Sequence, residues 1–257
     1  MVKKRIIPKF LVRGGRLVKA IKFFENFREA GNAVSTAKVY DSYGVDEMMF
    51  LDIDATPENR NIDTEIIKRV SEEVFMPFTV GGGVKDLKQI EELLKSGADK
   101  VSINSAAIEN PKFISQAASR FGDQCIVAAI DYKASNEGCF VYGQCGKNKT
   151  NLDLESWALS MEDAGAGEIM ITSIDRDGAM DGYDLDMIEN LANKLGKPLI
   201  ASSGAGNLKH CHDALDAGAS AITISSMFIF TDNSPIKVRT YLSDKGVNVR
   251  SQSGSHS

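Results

Sequence analysis

The chain has 257 residues, 43% hydrophobic and 25% charged, with a net charge of −5. That is enough apolar material for one large core, and about 250 residues is the usual length of a single α/β barrel. The acidic balance argues against a nucleic-acid surface, and the lack of a long apolar run or leader pattern leads us to expect a cytoplasmic protein with no membrane contact.

Apolar runs that read as strands, each followed by a helix-like pattern, recur at Arg5–Val12, Glu47–Asp52, Phe78–Val80, Lys100–Ile103, Cys125–Asp131, Glu168–Ile174, Leu199–Ala201 and Ala221–Ile224. Strands alternating with helices in this way imply a closed parallel (β/α)8 TIM barrel spanning residues 1–250. Helices are expected at Lys88–Ser96, Leu185–Leu195 and Asn207–Ala217, each ending at a glycine. Two segments break the rhythm. Arg13–Ala33, between the first strand and its helix, reads as a lid. Ser135–Thr150, after the fifth strand, alternates as a β-hairpin beside the mouth. The small polar tail 251–257 is expected to be disordered.

One stretch is written twice. "PFTVGGGVKDLKQIEELLKSGADKVSINS" superimposes without a gap on "PLIASSGAGNLKHCHDALDAGASAITISS", aligning Pro77 with Pro198, Gly83 with Gly204, Gly97 with Gly218 and Ser105 with Ser226. The chain is therefore read as two half-barrels of four strands. Glycines between a strand and a helix leave backbone N–H groups open to an anion, so two such turns suit a ligand with phosphates at both ends.

Active sites of such barrels lie at the C-terminal ends of the strands. The residues there are Gly81, Gly82 and Gly83, then Asn104 and Ser105, Asp175, Asp177 and Gly178, Ser202, Ser203 and Gly204, and Ser225 and Ser226. Any one of these can be a turn glycine or a capping hydroxyl; the doubling favours two phosphate sites. Asp131 ends the apolar fifth strand, where a carboxylate is costly unless paired, hydrated or functional, and is the first candidate acid or base. The equivalent position of the first strand is Leu11, which transfers no proton.

Alternation sets Arg5, Ile7, Lys9 and Leu11 on one face of the first strand, expected to look into the barrel, and Glu168, Met170 and Thr172 on one face of the sixth. Arg5, Glu47, Lys100 and Glu168 all lie at strand N-termini, where they are either a charged ring across the bottom of the barrel or solvated strand ends. Lys9 places an amine inside the barrel, where it needs a partner or loses its charge. His210 and His212 are two apart on a helix and face different ways, so no metal site is expected there. Cys125, Cys139, Cys145 and Cys211 follow no zinc or disulfide spacing and are expected as free thiols. No cofactor is implied.

Along nearly its whole length the chain resembles the cyclase subunit of imidazole glycerol phosphate synthase, the HisF family. The segments that carry the resemblance are "KRIIP", "GGRLVK", "FLDIDAT", "TVGGGVKD", "GADKVSINSAA", "FGDQCIVAAID", "GAGEIMITSIDRDG", "DGYDLDMI" and "SGAGNL". The resemblance implies a barrel that takes ammonia from a glutaminase subunit docked at its bottom face and reacts it at the top with a bisphosphorylated ribulosyl substrate. The products are imidazole glycerol phosphate and an aminoimidazole carboxamide ribotide. By position, Arg5, Glu47, Lys100 and Glu168 match the family's gate to the ammonia channel, and Lys19 matches the lysine of its mobile first loop. Gly83, Asn104 and Ser105 match one phosphate site, and Gly178, Gly204 and Ser226 the other. Asp131 matches one of two catalytic aspartates.

Three positions depart from the pattern. Leu11 stands where the other catalytic aspartate belongs, Lys9 where cysteine is common, and Ser203 where the strand-seven turn has its second glycine. The departures resemble a paralogous branch tied to acetamidino modification of sugars in bacterial surface polysaccharides, in which a barrel and a glutaminase supply ammonia to a separate sugar amidotransferase. That is the leading expectation. The alternatives are a histidine-pathway cyclase with another base, and a silent scaffold that activates its glutaminase.

Overall fold

The computed structural model describes residues 2–19, 23 and 27–250. Eight parallel strands close a barrel: β1 (Arg5–Arg13), then, past two accessory strands β2 (Arg16–Lys19) and β3 (Arg28–Gly31), β4 (Met48–Asp52), β5 (Phe78–Gly81), β6 (Lys100–Ile103) and β7 (Ile126–Ser135). Beyond the accessory β8 (Gly138–Gly143) and β9 (Asn148–Asp153) come β10 (Glu168–Ser173), β11 (Leu199–Ser202) and β12 (Ala221–Ile224). β7 pairs with β10, and β12 returns to β1 with Arg5 opposite Ala221, which closes the ring. The helices are α1 (Ala33–Ser42), α2 (Thr64–Ser71), α3 (Leu87–Lys95), α4 (Ser105–Glu109), α5 (Lys112–Phe121), α6 (Leu154–Asp163), α7 (Leu185–Ala192), α8 (Leu208–Asp216), α9 (Ser226–Phe230) and α10 (Pro235–Asp244). The fold is thus a (β/α)8 TIM barrel.

Strand alternation divides the core in two. Along β1, Ile6, Phe10 and Val12 join the large cluster between barrel and helices, while Ile7 joins a separate cluster with Met49, Val127, Ala129, Met170, Ile200 and Ala221 inside the barrel. The odd-numbered residues of β1 therefore look inward, as a two-residue side-chain period requires.

The internal repeat is visible in the local chemistry. Asp86 and Asn207 occupy equivalent positions, and each caps its helix by accepting from the third residue on: Gln89 N for α3 and His210 N for α8. Such a side chain satisfies one of the amide donors that a helix start leaves open. Asn104 and Ser225 are equivalent too. Both precede five-residue helices with φ near −120° to −130° and negative ψ, and neither side chain caps its helix.

Several sequence expectations shift at the edges. The eight strands stand where alternation put them, although Cys125 falls in a short 3₁₀ turn, half-buried, one residue before β7. Helix α7 stops at Ala192 because a turn closes through Leu195 N to Leu191 O before Gly196. The excursion 13–33 extends β1 and folds back as the antiparallel pair β2 and β3; residues 20–22 and 24–26 of the expected lid lie outside the described residues. The expected hairpin after the fifth strand is a three-stranded antiparallel extension, β7 to β8 to β9, and the tail 251–257 lies outside the described residues.

Candidate active site

The four charges at the strand N-termini form one closed circuit. Arg5 Nη1 reaches Glu47 Oε2 at 2.8 Å and its Nη2 reaches Glu168 Oε1 at 2.7 Å. Lys100 Nζ completes the square, 2.8 Å from Glu47 Oε2 and 3.0 Å from Glu168 Oε2. Thr79 Oγ1 donates to the remaining Glu47 oxygen at 2.6 Å. Of the two readings of these residues, solvated ends or a ring, the ring is observed. Glu47 is buried, and burial of this kind requires that every lone pair find a donor. Arg5 is held more strongly protonated than usual: burial works against its charge, and the two glutamates outweigh it.

Above the ring lies the apolar interior layer, and above that Lys9. Its side chain is buried, and Nζ donates to Ser202 Oγ at the end of β11 at 2.7 Å. Thr172 is in register with both Ser202 and Asp131, so the long side chain of Lys9 climbs from its own rung to the rung of the candidate acid or base. Its charge acts on two carboxylates, Asp131 and Asp177.

Asp131 faces a mouth cavity of about 590 Å³ that is also lined by Lys9, Leu11, Thr172, Gly82, Gly83, Asn104 and Ser105. Its Oδ2 accepts from Asn104 Nδ2 at 2.8 Å, and Thr172 stands beside it in register on β10. Loss of hydration dominates over these contacts and over the attraction of Lys9, and raises the carboxyl to about 6. A group with this value exchanges a proton readily near neutrality, the property required of a general acid or base. Leu11 contributes only a hydrocarbon wall to the same cavity.

The two glycine turns are alike in backbone and unlike in space. Gly82 has φ +94°, and a Cβ there would sit 2.0 Å from Asp52 O, so only glycine fits. Its repeat equivalent, Ser203, keeps a left-handed φ of +81° despite its side chain, a conformation that costs about 1 kcal/mol or more outside glycine. Its Oγ donates to Asp177 Oδ1 at 3.1 Å. Lys19, buried to 1% exposure, brings Nζ to 3.8 Å from the same oxygen. Burial opposes the charge of Asp177, yet Lys9, Lys19 and the Ser203 hydroxyl hold its carboxyl below its ordinary value. Burial lowers Lys19 in turn, with Lys9 adding to the effect and Asp177 resisting it. The recess framed by Lys9, Asp177, Gly178, Ser203, Gly204 and Ser226 measures about 10 Å³. Ser225 Oγ and Thr223 Oγ1 on its wall are buried without a protein partner.

Most of the residues singled out at strand ends therefore line two recesses that share Lys9 and Asp177; Gly81, Ser202 and Asp175 line neither, Ser202 accepting from Lys9 and Asp175 lying 3.9 Å from Lys133 Nζ. Ser105 differs from expectation in one respect: its Oγ accepts from Gln144 N at 3.0 Å, fastening the β8–β9 turn to the mouth. Gln144, Cys145 and Lys147 of that turn line the large cavity, as does Asp52. Sequence reasoning missed them. Asp52 ends β4, so the rule that picked Asp131 also points to it; both its oxygens are taken by Arg60, at 2.7 and 2.9 Å. The turn residues left no such signal, since an antiparallel extension carries no strand-end rule. Burial raises the Cys145 thiol to about 12, with the Asp131 charge adding to it. Among the described residues no group of three or more His, Cys, Asp or Glu side chains could hold a metal ion, and no helix is long and apolar enough to cross a membrane.

A family model described as "Histidine biosynthesis protein" matches residues 5–234. The match begins at Arg5 of the charged ring and runs through every barrel strand.

Proposed function

The chain belongs to the histidine biosynthesis protein family, a family of TIM-barrel enzymes, and from that premise we propose that it is a synthase subunit that receives ammonia through the barrel from a glutaminase partner at the ring face. The observation that carries the proposal is the closed Arg5–Glu47–Lys100–Glu168 circuit beneath an apolar interior. A solvated strand end needs no such closure, and desolvating four charges on one axis has a stability cost that a structural role alone does not repay. Neutral ammonia crosses an apolar layer at far lower cost than ammonium, so ions at the base and hydrocarbon above it suit a route that admits ammonia and excludes bulk water.

At the mouth the chemistry differs from a two-carboxylate cyclase. Asp131 has Leu11 for its counterpart and the Lys9 side chain at its own level. Removal of one proton-transfer group costs about 10²–10⁴-fold in rate, so the reading we favour is delivery of ammonia for acetamidino modification of a lipopolysaccharide sugar, with a separate sugar amidotransferase making the new bond. The ligand at the mouth would sit with phosphate against the Gly82–Gly83 turn, Asn104 and Ser105 beside it, and Gly178, Gly204, Ser225 and Ser226 around the second recess. A second reading, a histidine-pathway cyclase, is favoured by one observation: the Asp131 carboxyl at about 6 suits acid–base work with one group.

Two assays separate these readings. Given the bisphosphorylated ribulosyl substrate and an ammonium salt, the wild type is expected to form imidazole glycerol phosphate at least about 10²-fold more slowly than Leu11→Asp. Equal rates sink the favoured reading and support the cyclase. With a glutaminase subunit bound, Lys100→Ala is expected to release ammonia to solvent and uncouple glutamine hydrolysis from its use; an unaltered coupling ratio supports a silent scaffold.

A further inference from the structure

The ammonia route assigns no task to Lys9, an amine buried to 5% exposure on the inward face of β1. Ile7, two residues before it, belongs to the apolar interior layer, and Leu11, two residues after it, walls the mouth cavity. The amine therefore stands where the packed interior opens into a space of about 590 Å³, a size that accepts a small organic molecule. It lines the smaller recess as well. A buried lysine kept only as a counterion is expected to grip a carboxylate directly. Lys9 Nζ instead donates to the neutral Ser202 Oγ at 2.7 Å, and among the described residues it makes no ion pair; the close cation of Asp177 is Lys19, at 3.8 Å.

The surroundings supply what carbonyl chemistry at an amine requires. A lysine nitrogen must shed a proton before it attacks, and a base must receive that proton. Two carboxylates feel the charge of Lys9. Asp177, despite its burial, is held below its ordinary value by Lys9, Lys19 and the Ser203 hydroxyl, and is the weaker base. Burial lifts Asp131 to about 6 against the pull of Lys9, so Asp131 is the better acceptor. It shares the rung of Ser202 through Thr172. Three buried oxygens on the walls, Asn104 Oδ1, Thr223 Oγ1 and Ser225 Oγ, have no hydrogen-bond partner among the described residues. They suit a ligand that brings several hydroxyl groups with its carbonyl.

We infer that Lys9 is a Schiff-base lysine, whose Nζ condenses with the carbonyl carbon of an open-chain hydroxy-ketone or hydroxy-aldehyde held at the mouth. Asp131 takes one proton from the ammonium, and the nitrogen lone pair forms the C–N bond as the C=O π pair moves onto oxygen. The nitrogen passes a second proton to that oxygen, giving a carbinolamine. Asp131 returns its proton to the new hydroxyl, which leaves as water while the nitrogen lone pair closes the C=N bond. The net change is ammonium plus carbonyl to protonated imine plus water, with no oxidant or reductant. The step needs neither ammonia nor a glutaminase, so it goes beyond the route through the ring and fails or holds independently of it.

The test is reductive trapping. The full chain is incubated near neutral pH with dihydroxyacetone or ribulose 5-phosphate and treated with sodium borohydride, and its lysines are mapped by peptide mass spectrometry. Lys9 is expected to carry the reduced adduct at an occupancy at least about tenfold above that of the exposed Lys88 and Lys95. Asp131→Asn is expected to slow the labelling of Lys9 by about 10²-fold. Absence of label at Lys9 with both compounds overturns the inference, and so does labelling no heavier there than at the exposed lysines. Labelling that proceeds as fast in Asp131→Asn as in the wild type overturns the proton transfer assigned to Asp131.

Discussion

Lys9 Nζ donates to Ser202 Oγ at 2.7 Å, across the barrel mouth from the first strand to the seventh. This contact sets an ammonium between two carboxylates, Asp131 and Asp177, both of which it favours in their ionised forms. Lys9, Lys19 and Asp177 are buried together there, with Lys19 Nζ 3.8 Å from Asp177 Oδ1, and Asp131 lines the cavity beside them. Asp177 is held below its ordinary value by these neighbours, whereas at Asp131 burial outweighs them.

Lys9→Met keeps the length of the side chain and removes the charge. The carboxyl of Asp131 is then expected to titrate higher than about 6, because its main favourable charge is gone while its desolvation remains. Stability at pH 7 is expected to fall by about 3 kcal/mol, as for a buried ion group that loses one partner. Carbon-detected NMR titration of the aspartates and urea unfolding check both; an Asp131 titration that does not move contradicts the coupling.

Asp131 also makes stability depend on pH with an unusual sign for an aspartate. Its folded value of about 6 lies above the ordinary 3.8, so between these the folded state binds more protons than the unfolded one. Its contribution therefore falls as pH rises from about 4 to about 6 and stays unfavourable above. Asp131→Asn is expected to remove that slope and to gain about 1–3 kcal/mol near pH 7.5 relative to the wild type. Urea midpoints for both proteins at pH 4.5, 6 and 7.5 are the measurement, and parallel curves would count against the raised value.

At the ring face, Lys100→Met leaves Glu47 and Glu168 with Arg5 as their shared cation. A loss of about 3 kcal/mol is expected, with part of it recovered in the double variant Lys100→Met, Glu168→Gln, which removes the surplus charge. A cost within about 0.5 kcal/mol, the size typical of an exposed pair, would mean that the circuit is hydrated rather than closed.

The two equivalent turn positions are expected to respond unequally to alanine. At Gly82 a Cβ meets Asp52 O at 2.0 Å on a left-handed backbone, so Gly82→Ala is expected to cost more than about 3 kcal/mol or to prevent folding. Ser203 already carries a Cβ in that conformation; Ser203→Ala loses only its hydrogen bond to Asp177, about 1 kcal/mol. Thermal melts of both variants decide the point, and equal losses would contradict the asymmetry between the turns.

Much of this molecule is legible in one dimension. Alternating apolar strands, each with its helix, give a parallel barrel because a strand buried on both faces has few other arrangements. The two-residue period in β1 already orients Arg5, Ile7, Lys9 and Leu11 inward, and the doubled stretch, read as two half-barrels, carries equivalent caps at Asp86 and Asn207 in the structure. What resisted reading were segments with no period to follow. The turn with Gln144, Cys145 and Lys147 folds over the mouth because β8 and β9 continue the β7 edge outward, and nothing in its own residues names that destination.

The sequence by itself determined the barrel, its two halves, the charges at the strand starts and the leucine at position 11 opposite Asp131 in the repeat, since each follows from local period, internal repetition and residue type. Only the tertiary structure decided that the four charges close into one circuit, that Lys9 reaches the rung of Asp131, and that Ser203 turns its hydroxyl onto Asp177. These depend on distances between strands far apart in the chain and on side-chain volume in a shared space.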